Sequence, residues 1–178
     1  MVERPNETPM ETDSTHITVS EQAVWTALEN VKDPEIPVLS VIDMGVIYKV
    51  EISEGGDSCI VTMTPTFVGC PAIDIMKKAV AEEVTKLGFN RVEVRVDFEN
   101  TWTSDRMSEE AKRKLEKFGL APPAIISGDL TEEQLNNVRC PHCGSTDTTL
   151  RSAFGSTLCR AIRFCFNCKQ GFEQFKPV

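Results

Sequence analysis

Four cysteines near the end of the chain carry the strongest chemical signal in the sequence. Cys140 and Cys143 form one C-x-x-C pair, and Cys165 and Cys168 form a second pair after an interval of 21 residues. Each pair can present two thiolates to one ion, so that together they complete the tetrahedral shell of a zinc ion. An iron ion in a rubredoxin-like site or an iron–sulfur cluster uses the same ligands. Zinc is favoured, because small four-thiolate ribbons are usually structural zinc sites.

Cys70 is a second candidate for thiol chemistry. Pro71 opens a helical pattern, which predicts that Cys70 lies at the helix N-cap. The free N–H groups and the dipole of a helix favour a thiolate at that position, and the thiolate is the nucleophile and the metal ligand. Asp33, Glu35 and Asp43 fall in loop-like segments and would supply oxygen ligands if they approach Cys70. Each of these carboxylates is equally typical of a side chain that only caps a turn.

Cys159 lies between the two pairs and belongs to neither. A free cysteine is usually a small, buried and inert residue, so the first interpretation is a packed position on a ribbon strand. The alternative is a spare thiolate that binds iron or a cluster transiently. Both interpretations stay open on the residues alone.

The elements that must position these residues follow the order α-β-β-α-β-α. The predicted elements are a helix from Ser20 that stops at Asp33-Pro34, a strand over 46–52, a strand over 59–63, a helix over 71–87, a strand over 91–98 and a helix from Ser108 to Gly119. A small sheet with helices packed on one face accommodates this order, so we predict an α+β domain followed by a four-cysteine zinc ribbon.

The chain divides into four predicted regions. They are a disordered tail over 1–19, the α+β domain over 20–121, a linker over 122–138 and the zinc ribbon over 139–178. A ribbon of this length cannot build an adequate core of its own, so a metal must replace one. We therefore expect that loss of one ribbon cysteine unfolds residues 139–178 and spares the upstream domain.

Charge is unevenly distributed along the chain. Residues 1–135 carry 13 lysines and arginines against 25 acidic residues, whereas residues 136–178 carry 6 against 2. A basic ribbon suggests a nucleic acid or an acidic partner. Four thiolates and one divalent cation contribute a net charge of about −2, however, which reduces the loaded ribbon to about +2. The charge pattern therefore gives little support to binding of a polyanion.

No segment of the sequence predicts export or membrane insertion. No apolar run approaches the ~20 residues that cross a bilayer, and the polar, acidic start of the chain differs from a secretory signal. The chain has seven cysteines, an odd number. C-x-x-C pairs without an export signal indicate metal binding in a reducing cytoplasm rather than disulfides.

Several short segments form a pattern that is more specific than any one of them. They are Asp33 to Ile47, Thr64-Pro65-Thr66, Gly69-Cys70-Pro71, Trp102-Thr103, 119–123, the two C-x-x-C pairs, and Phe154-Gly155-Ser156-Thr157 with Cys159. The first three resemble the small domain of iron–sulfur assembly factors of the SufT kind. The whole arrangement, over roughly residues 20–178, resembles the PaaD family, phenylacetate-degradation proteins also called subunit J of phenylacetyl-CoA epoxidase.

This resemblance implies a maturation role rather than catalysis. It implies that the chain assists the loading of iron or iron–sulfur clusters into a multicomponent oxygenase. The expected partners are the oxygenase and reductase subunits of the phenylacetyl-CoA epoxidase system or another iron–sulfur client, and a homodimer is left open. The resemblance makes Cys70 the reactive cysteine of a T-x-x-G-C-P motif, with Asp33, Glu35 and Asp43 as its loop acids. With Cys159 added, these residues form the predicted transient site for iron or a cluster.

Two other functions can be compared with this one. An enzyme with Cys70 as nucleophile would need a positioned base, and the two histidines, His16 in the tail and His142 inside a C-x-x-C pair, are poorly placed to serve. A nucleic-acid-binding or regulatory zinc-ribbon protein is disfavoured by the acidic main domain and by the lack of a recognisable surface of aromatic and basic residues. We therefore predict a cytoplasmic accessory factor that is not an enzyme.

Overall fold

The computed structural model describes residues 19–123 and 138–177. The predicted tail up to residue 18 and the predicted linker from 124 to 137 lie outside the described residues. No helix in the described ranges is long and apolar enough to cross a membrane. In chain order, the elements are α1 (Glu21–Leu28), β1 (Ile47–Ile52), β2 (Ser58–Met63), α2 (Ile73–Thr85), β3 (Arg91–Val96), a 3-10 helix (Ser104–Arg106), α3 (Glu109–Phe118), β4 (Leu120–Ala121), β5 (Thr148–Ser152), β6 (Arg160–Cys165) and β7 (Gly171–Phe175).

The first part of the chain is an α+β unit built on a three-stranded sheet of order β1-β2-β3. The central strand β2 is antiparallel to β1 and parallel to β3, so that Val61 pairs with both Val50 and Val94. Cys59, Val61 and Met63 are fully buried and occupy alternate positions of β2, as expected for a sheet with one covered face. α1 packs on α2 and β1, and α2 packs on β3. The predicted α+β class and element order are confirmed.

The helix ends follow the predicted capping signals. The Ser20 hydroxyl accepts a hydrogen bond from the N–H of Ala23 and caps α1, and the Ser108 hydroxyl caps α3 in the same way through Ala111. Gly119 then ends α3 with a φ of 89°, a left-handed conformation that glycine adopts without a steric penalty. These caps place α3 directly before the ribbon.

Two predicted boundaries differ from the structure. α1 ends at Leu28, before its predicted stop, because a backbone hydrogen bond closes a loop over residues 31–41. β3 ends at Val96 rather than at Phe98, because the Asp97 carboxylate accepts backbone hydrogen bonds and turns the chain. Phe98 consequently leaves the buried face and is 61% exposed.

The ribbon is a sheet of order β4-β7-β6-β5. Strands β5, β6 and β7 form an antiparallel meander. β4 follows α3 directly and pairs in parallel with β7, where Leu120 lies opposite Glu173. A strand from the region predicted as the α+β domain therefore completes the ribbon sheet.

The α+β unit and the ribbon share a hydrophobic core. Phe175, at the end of β7, is fully buried in the core cluster of the α+β unit. Its ring centroid lies 5.9 Å from that of Trp102, whose indole N–H donates to the carbonyl of Met44 at 2.9 Å. Cys70 and Cys159 pack against the same cluster from the two parts of the chain. We call this shared boundary the seam.

Candidate functional site

The four ribbon cysteines converge on one point, and we call them the tetrad. Their sulfur atoms all lie within 4.8 Å of one another. The sulfur atoms of Cys140 and Cys168 are 3.8 Å apart, and those of Cys143 and Cys165 are 3.6 Å apart. A tetrahedral zinc ion with Zn–S bonds of ~2.3 Å requires sulfur atoms about 3.8 Å apart. The geometry fits zinc, and within 19–123 and 138–177 no other group of three or more candidate ligands is as compact.

Backbone hydrogen bonds shape both C-x-x-C turns in the same way. The N–H of Gly144 donates to the carbonyl of Cys140 at 2.9 Å, and the N–H of Lys169 donates to that of Cys165 at 3.0 Å. Gly144 and Lys169 each follow the second cysteine of a pair, and both have a positive φ, 74° and 60°. A left-handed residue reverses the chain at this point, so the two sulfur atoms of each pair face the same position.

The tetrad thiols titrate differently from an isolated cysteine. A hydrogen bond from the Asn167 amide, 3.5 Å from the sulfur, lowers the pKa of Cys143 to about 6. Burial and the neighbouring sulfur atoms raise the pKa of Cys168 to about 12. Crowding of groups that ionise to the same charge produces such a spread. A divalent cation would stabilise all the thiolates together.

Cys70 lies at the seam, but the prediction that it is a helix N-cap is wrong. The N-cap of α2 is Ala72. Cys70 precedes it in a turn, where its N–H donates to the carbonyl of Phe67 and its carbonyl accepts from the N–H of Ile73, both at 3.2 Å. Pro71 therefore belongs to this turn and not to the first position of the helix.

The structure also contradicts the expectation that the helix end favours a Cys70 thiolate. Burial raises the pKa of the Cys70 thiol above its ordinary value, and the carboxylates of Glu35 and Asp33 raise it further. Hydrogen bonds from the backbone N–H groups of Ala72 and Ile73 lower the pKa without reversing the shift. The thiol therefore keeps its proton at neutral pH until a cation or an electrophile displaces it.

Cys159 lies across the seam, close enough to Cys70 for the two thiols to interact electrostatically. Burial raises the pKa of Cys159, and the charges of Glu35 and Cys70 add to the rise. The Thr157 hydroxyl, 3.0 Å from the sulfur, lowers the pKa in part. The structure therefore brings together two cysteines that are 89 positions apart in the sequence.

A cleft opens beside this pair. It is bounded on one side by the neighbours of Cys70 and on the other by the loop that leads to Cys159. Its lining residues are Glu35, Gly69, Pro71 and Phe154 to Leu158. The cleft and the Cys70–Cys159 pair together form what we call the seam site.

Two of the three predicted acids belong to the seam site. One carboxylate oxygen of Asp33 accepts hydrogen bonds from the backbone N–H groups of Glu35 and Ile36, at 2.8 and 2.7 Å, and so holds the loop in shape. The Glu35 side chain lines the cleft. Both carboxylates act electrostatically on Cys70. Asp33 thus combines the capping role with a position near the thiols.

Asp43 lies elsewhere, and its assignment to the Cys70 site is corrected. Its two carboxylate oxygens accept hydrogen bonds from Lys114 Nζ at 2.9 and 2.8 Å, and one of them also accepts from the N–H of Ser40. Burial acts to raise the pKa of Asp43, but the hydrogen bonds from Lys114 and Ser40 outweigh it and lower the pKa. This carboxylate stabilises a loop, because its oxygens are already occupied.

Sequence reasoning missed the basic residues that fasten the seam. Lys176 Nζ lies 4.9 Å from the ring centroid of Phe67 and 5.5 Å from that of Phe154, within the range of cation–π attraction. Arg160 donates from Nη2 to the carbonyl of Glu35 at 2.9 Å. The only signal was the conspicuous segment from Phe154 to Cys159, which precedes Arg160 directly.

A surface of aromatic and basic residues is also present, contrary to the expectation from sequence. The guanidinium carbon of Arg151 lies 5.1 Å from the ring centroid of Phe164 and 5.8 Å from that of Phe166. Phe166 is 40% exposed. The three residues are separated in sequence and meet only because β5 and β6 pair.

Comparisons with known families define the class of protein. Residues 21–97 match the iron–sulfur cluster assembly protein family, and residues 127–176 match the PaaD zinc beta ribbon domain. A crystal structure from Bacillus anthracis, a domain of unknown function (DUF59), is 31% identical, with a TM-score of 0.50 over 53% of this chain and 90% of that one. The chain thus joins an iron–sulfur assembly-type α+β unit to a four-cysteine ribbon.

Full-length comparison identifies the family. A putative 1,2-phenylacetyl-CoA epoxidase subunit of Escherichia coli is 39% identical over 87% of this chain and 92% of that protein. An Fe-S protein maturation auxiliary factor of Porphyromonas gingivalis is 41% identical over 54% of this chain and 90% of that protein. The chain belongs to the PaaD family. The letter in the name of the Escherichia coli relative differs from the J that the resemblance suggested.

Proposed function

We propose that this chain is an accessory factor that loads or protects iron or iron–sulfur centres in a partner protein and turns over no substrate itself. The observation that carries the proposal is the seam site, where Cys70 and Cys159 lie beside one cleft with Glu35 and Asp33. Thiolate and carboxylate groups bind iron, and two cysteines leave coordination positions open. An open site suits a cargo that must leave again, whereas a closed shell retains its metal.

The proposed client is a multicomponent oxygenase of the phenylacetyl-CoA epoxidase kind, with its oxygenase and reductase subunits. This choice rests on the name of the Escherichia coli relative, which matches over most of both chains. The shorter maturation factor from Porphyromonas gingivalis supports the assembly role and leaves another iron–sulfur client as the alternative.

The tetrad is proposed to hold one structural zinc ion. Its sulfur spacing fits tetrahedral zinc, and its four ligands leave no position for a substrate. Iron or an iron–sulfur cluster is the alternative occupant, since it uses the same ligands. Free thiols and thiolate-bound zinc require a reducing compartment, so we place the protein in the cytoplasm.

The test is to purify the oxygenase and the reductase from cells that lack this chain and from cells that carry Cys70→Ser. Both clients are expected to accumulate as folded proteins with depleted iron, and their activity should fall in proportion to the iron lost. The control is that the Cys70→Ser protein itself keeps one zinc per chain and a native circular dichroism spectrum.

Two other results would change the assignment. Clients with normal iron that stay inactive until this chain is added to the assay would make it a working component of the oxygenase. Clients with normal iron and normal activity in its absence would overturn the proposal entirely.

Nucleic-acid binding is the second candidate function. Arg151 with Phe164 and Phe166 offers a basic group and exposed rings on which bases can stack. Binding to single-stranded DNA or RNA that weakens steeply with salt and is lost in Arg151→Ser would support it. Absence of binding at low salt would remove this candidate.

A further inference from the structure

Arg160 is a buried arginine that joins the two sides of the seam site. It is 9% exposed, although it carries a full positive charge. From the ribbon strand β6, its Nη2 reaches across the seam to the carbonyl of Glu35 at 2.9 Å. Its Nη1 donates to a carboxylate oxygen of Glu173 at 2.9 Å within the ribbon. One guanidinium thus fixes the acid loop of the α+β unit to the sheet of the ribbon.

The same ion pair shapes the loop that leads to Cys159. The carboxylate of Glu173 also accepts hydrogen bonds from the N–H and the hydroxyl of Ser156, at 2.7 and 3.1 Å. Gly155 lies so close that an added Cβ would come within 2.8 Å of Glu173 and 2.9 Å of Arg160. The loop over residues 154–159 is therefore held against Arg160 and Glu173, with Cys159 at its end.

Stability alone does not explain a buried ion pair at this place. Removing two charges from water costs as much as their attraction returns, or more, and an apolar pair of similar volume often stabilises a core better. Arg160 Nε is also buried without a hydrogen-bond partner. What the arginine adds is direction, because its planar fork donates to Glu173 and to the Glu35 carbonyl at the same time.

We propose that Arg160 is the positioning residue of the seam site: by binding the Glu35 carbonyl and the Glu173 carboxylate together, it sets Cys159 beside Cys70 so that both sulfur atoms can bind one iron cargo. This inference rests on the proposed function and deepens it, since it assigns the ribbon the task of presenting a second thiolate. Residues that orient metal ligands commonly control metal affinity by roughly 10- to 100-fold.

The test uses Arg160→Lys in the full-length, zinc-loaded protein. Lysine keeps the charge beside Glu173 but, with a single ammonium group, loses the fork that reaches the Glu35 carbonyl. The control is Arg163→Gln, which changes another buried arginine of β6 whose Nε donates to Gln174 inside the ribbon at 2.6 Å. Three quantities are measured: zinc content, cross-linking of Cys70 to Cys159 by dibromobimane, and ferrous iron bound under anaerobic conditions.

Arg160→Lys is expected to keep its zinc and to lose cross-linking yield and iron affinity together, each by about tenfold. Arg163→Gln is expected to change neither quantity by a comparable factor. Wild-type cross-linking and iron affinity in Arg160→Lys would overturn the proposal, and so would loss of zinc, which would make Arg160 a residue of the ribbon fold. A wild-type protein that cross-links but binds no iron would contradict the proposed function, while the cross-linking yield of Arg160→Lys would still decide the positioning role.

Discussion

The tetrad and the seam site use the same element, the cysteine sulfur atom, for opposite purposes. In the tetrad, four sulfur atoms within 4.8 Å of one another leave no open position, and both turns that present them are shaped by backbone hydrogen bonds. In the seam site, two cysteines from different parts of the chain border an open cleft and have raised pKa values. The number of thiols and their access to solvent thus separate a structural site from a transient one.

The comparison also shows how one site depends on the other. Cys159 lies on the ribbon, between the two pairs that form the tetrad. A ribbon that loses its metal loses the sheet that carries Cys159 and Phe175. The tetrad therefore supports the seam site from a distance, without taking part in its chemistry.

The largest effect is expected from Cys165→Ser. The variant should lose its zinc and the ribbon fold, because metal binding supplies the folding free energy of small four-cysteine units, about 10 kcal/mol or more. Because Phe175 also leaves the shared core, the α+β unit should lose stability as well. This corrects the expectation from sequence that the upstream domain would be spared. Metal analysis and circular dichroism measure both parts.

Cys159→Ser serves as the matched control for that variant, since it removes a ribbon cysteine outside the tetrad. It is expected to keep one zinc per chain. Full retention of zinc in Cys165→Ser would show that the tetrad is not the ligand set.

A smaller but still large effect is expected from Phe175→Ala. Truncation of a fully buried phenylalanine costs about 3–5 kcal/mol, and here the loss should fall on the α+β unit through Trp102. The free energy of unfolding is measured by denaturant titration, with zinc content as a check that the tetrad survives. Leu150→Ala, on the exposed side of β5, should change stability by about 0.5 kcal/mol or less. Two separate transitions in the wild-type protein would contradict a shared core.

Asp43→Asn tests whether Asp43 is outside both thiol sites. It should cost about 1 kcal/mol through the hydrogen bonds to Lys114, without changing iron binding at the seam. Since the folded-state pKa of Asp43 is lowered, its contribution is present above the unfolded pKa of about 3.9 and is lost as pH falls through the folded value. Stability measured between pH 3 and pH 7 should therefore converge for the two proteins at the acidic end. A loss of iron binding in Asp43→Asn would return Asp43 to the ligand set.

The smallest effect is expected from Glu35→Gln. The Glu35 carboxylate raises the pKa values of both Cys70 and Cys159, so its removal should lower them and increase the thiolate fraction at pH 7. Alkylation of both cysteines should become faster by less than tenfold, which corresponds to less than one pKa unit. Mass spectrometry at graded pH measures the two rates separately. Unchanged rates, with Glu99→Gln as a distant control, would show that Glu35 does not act on the thiols.

The sequence was most informative where chemistry is local. The spacing of the C-x-x-C pairs identified the tetrad, and the Ser20, Ser108 and Gly119 signals located helix ends, because each depends on a few consecutive residues. The seam was not predictable in this way. The contact of Phe175 with Trp102 joins segments 73 positions apart, and nothing local marks either residue as an interface.

The error at Cys70 has a similar origin. A proline after a cysteine suggested a helix start, but the backbone completes a turn first, and burial beside two carboxylates then decides the pKa. Asp43 was grouped with Cys70 because it lies in the same conspicuous segment, whereas Lys114, 71 positions away, engages its carboxylate. Tertiary partners settle such assignments, and only the folded structure supplies them.

The most direct test of the two-site account is anaerobic loading with ferrous iron and sulfide, followed by metal analysis and Mössbauer spectroscopy. The wild-type protein should keep one zinc per chain and take up additional iron that a chelator removes readily. Cys70→Ser and Cys159→Ser should each keep the zinc and lose the additional iron. Iron that persists in Cys70→Ser but disappears in Cys143→Ser would place the iron in the tetrad and contradict the separation of a structural site from a transient one.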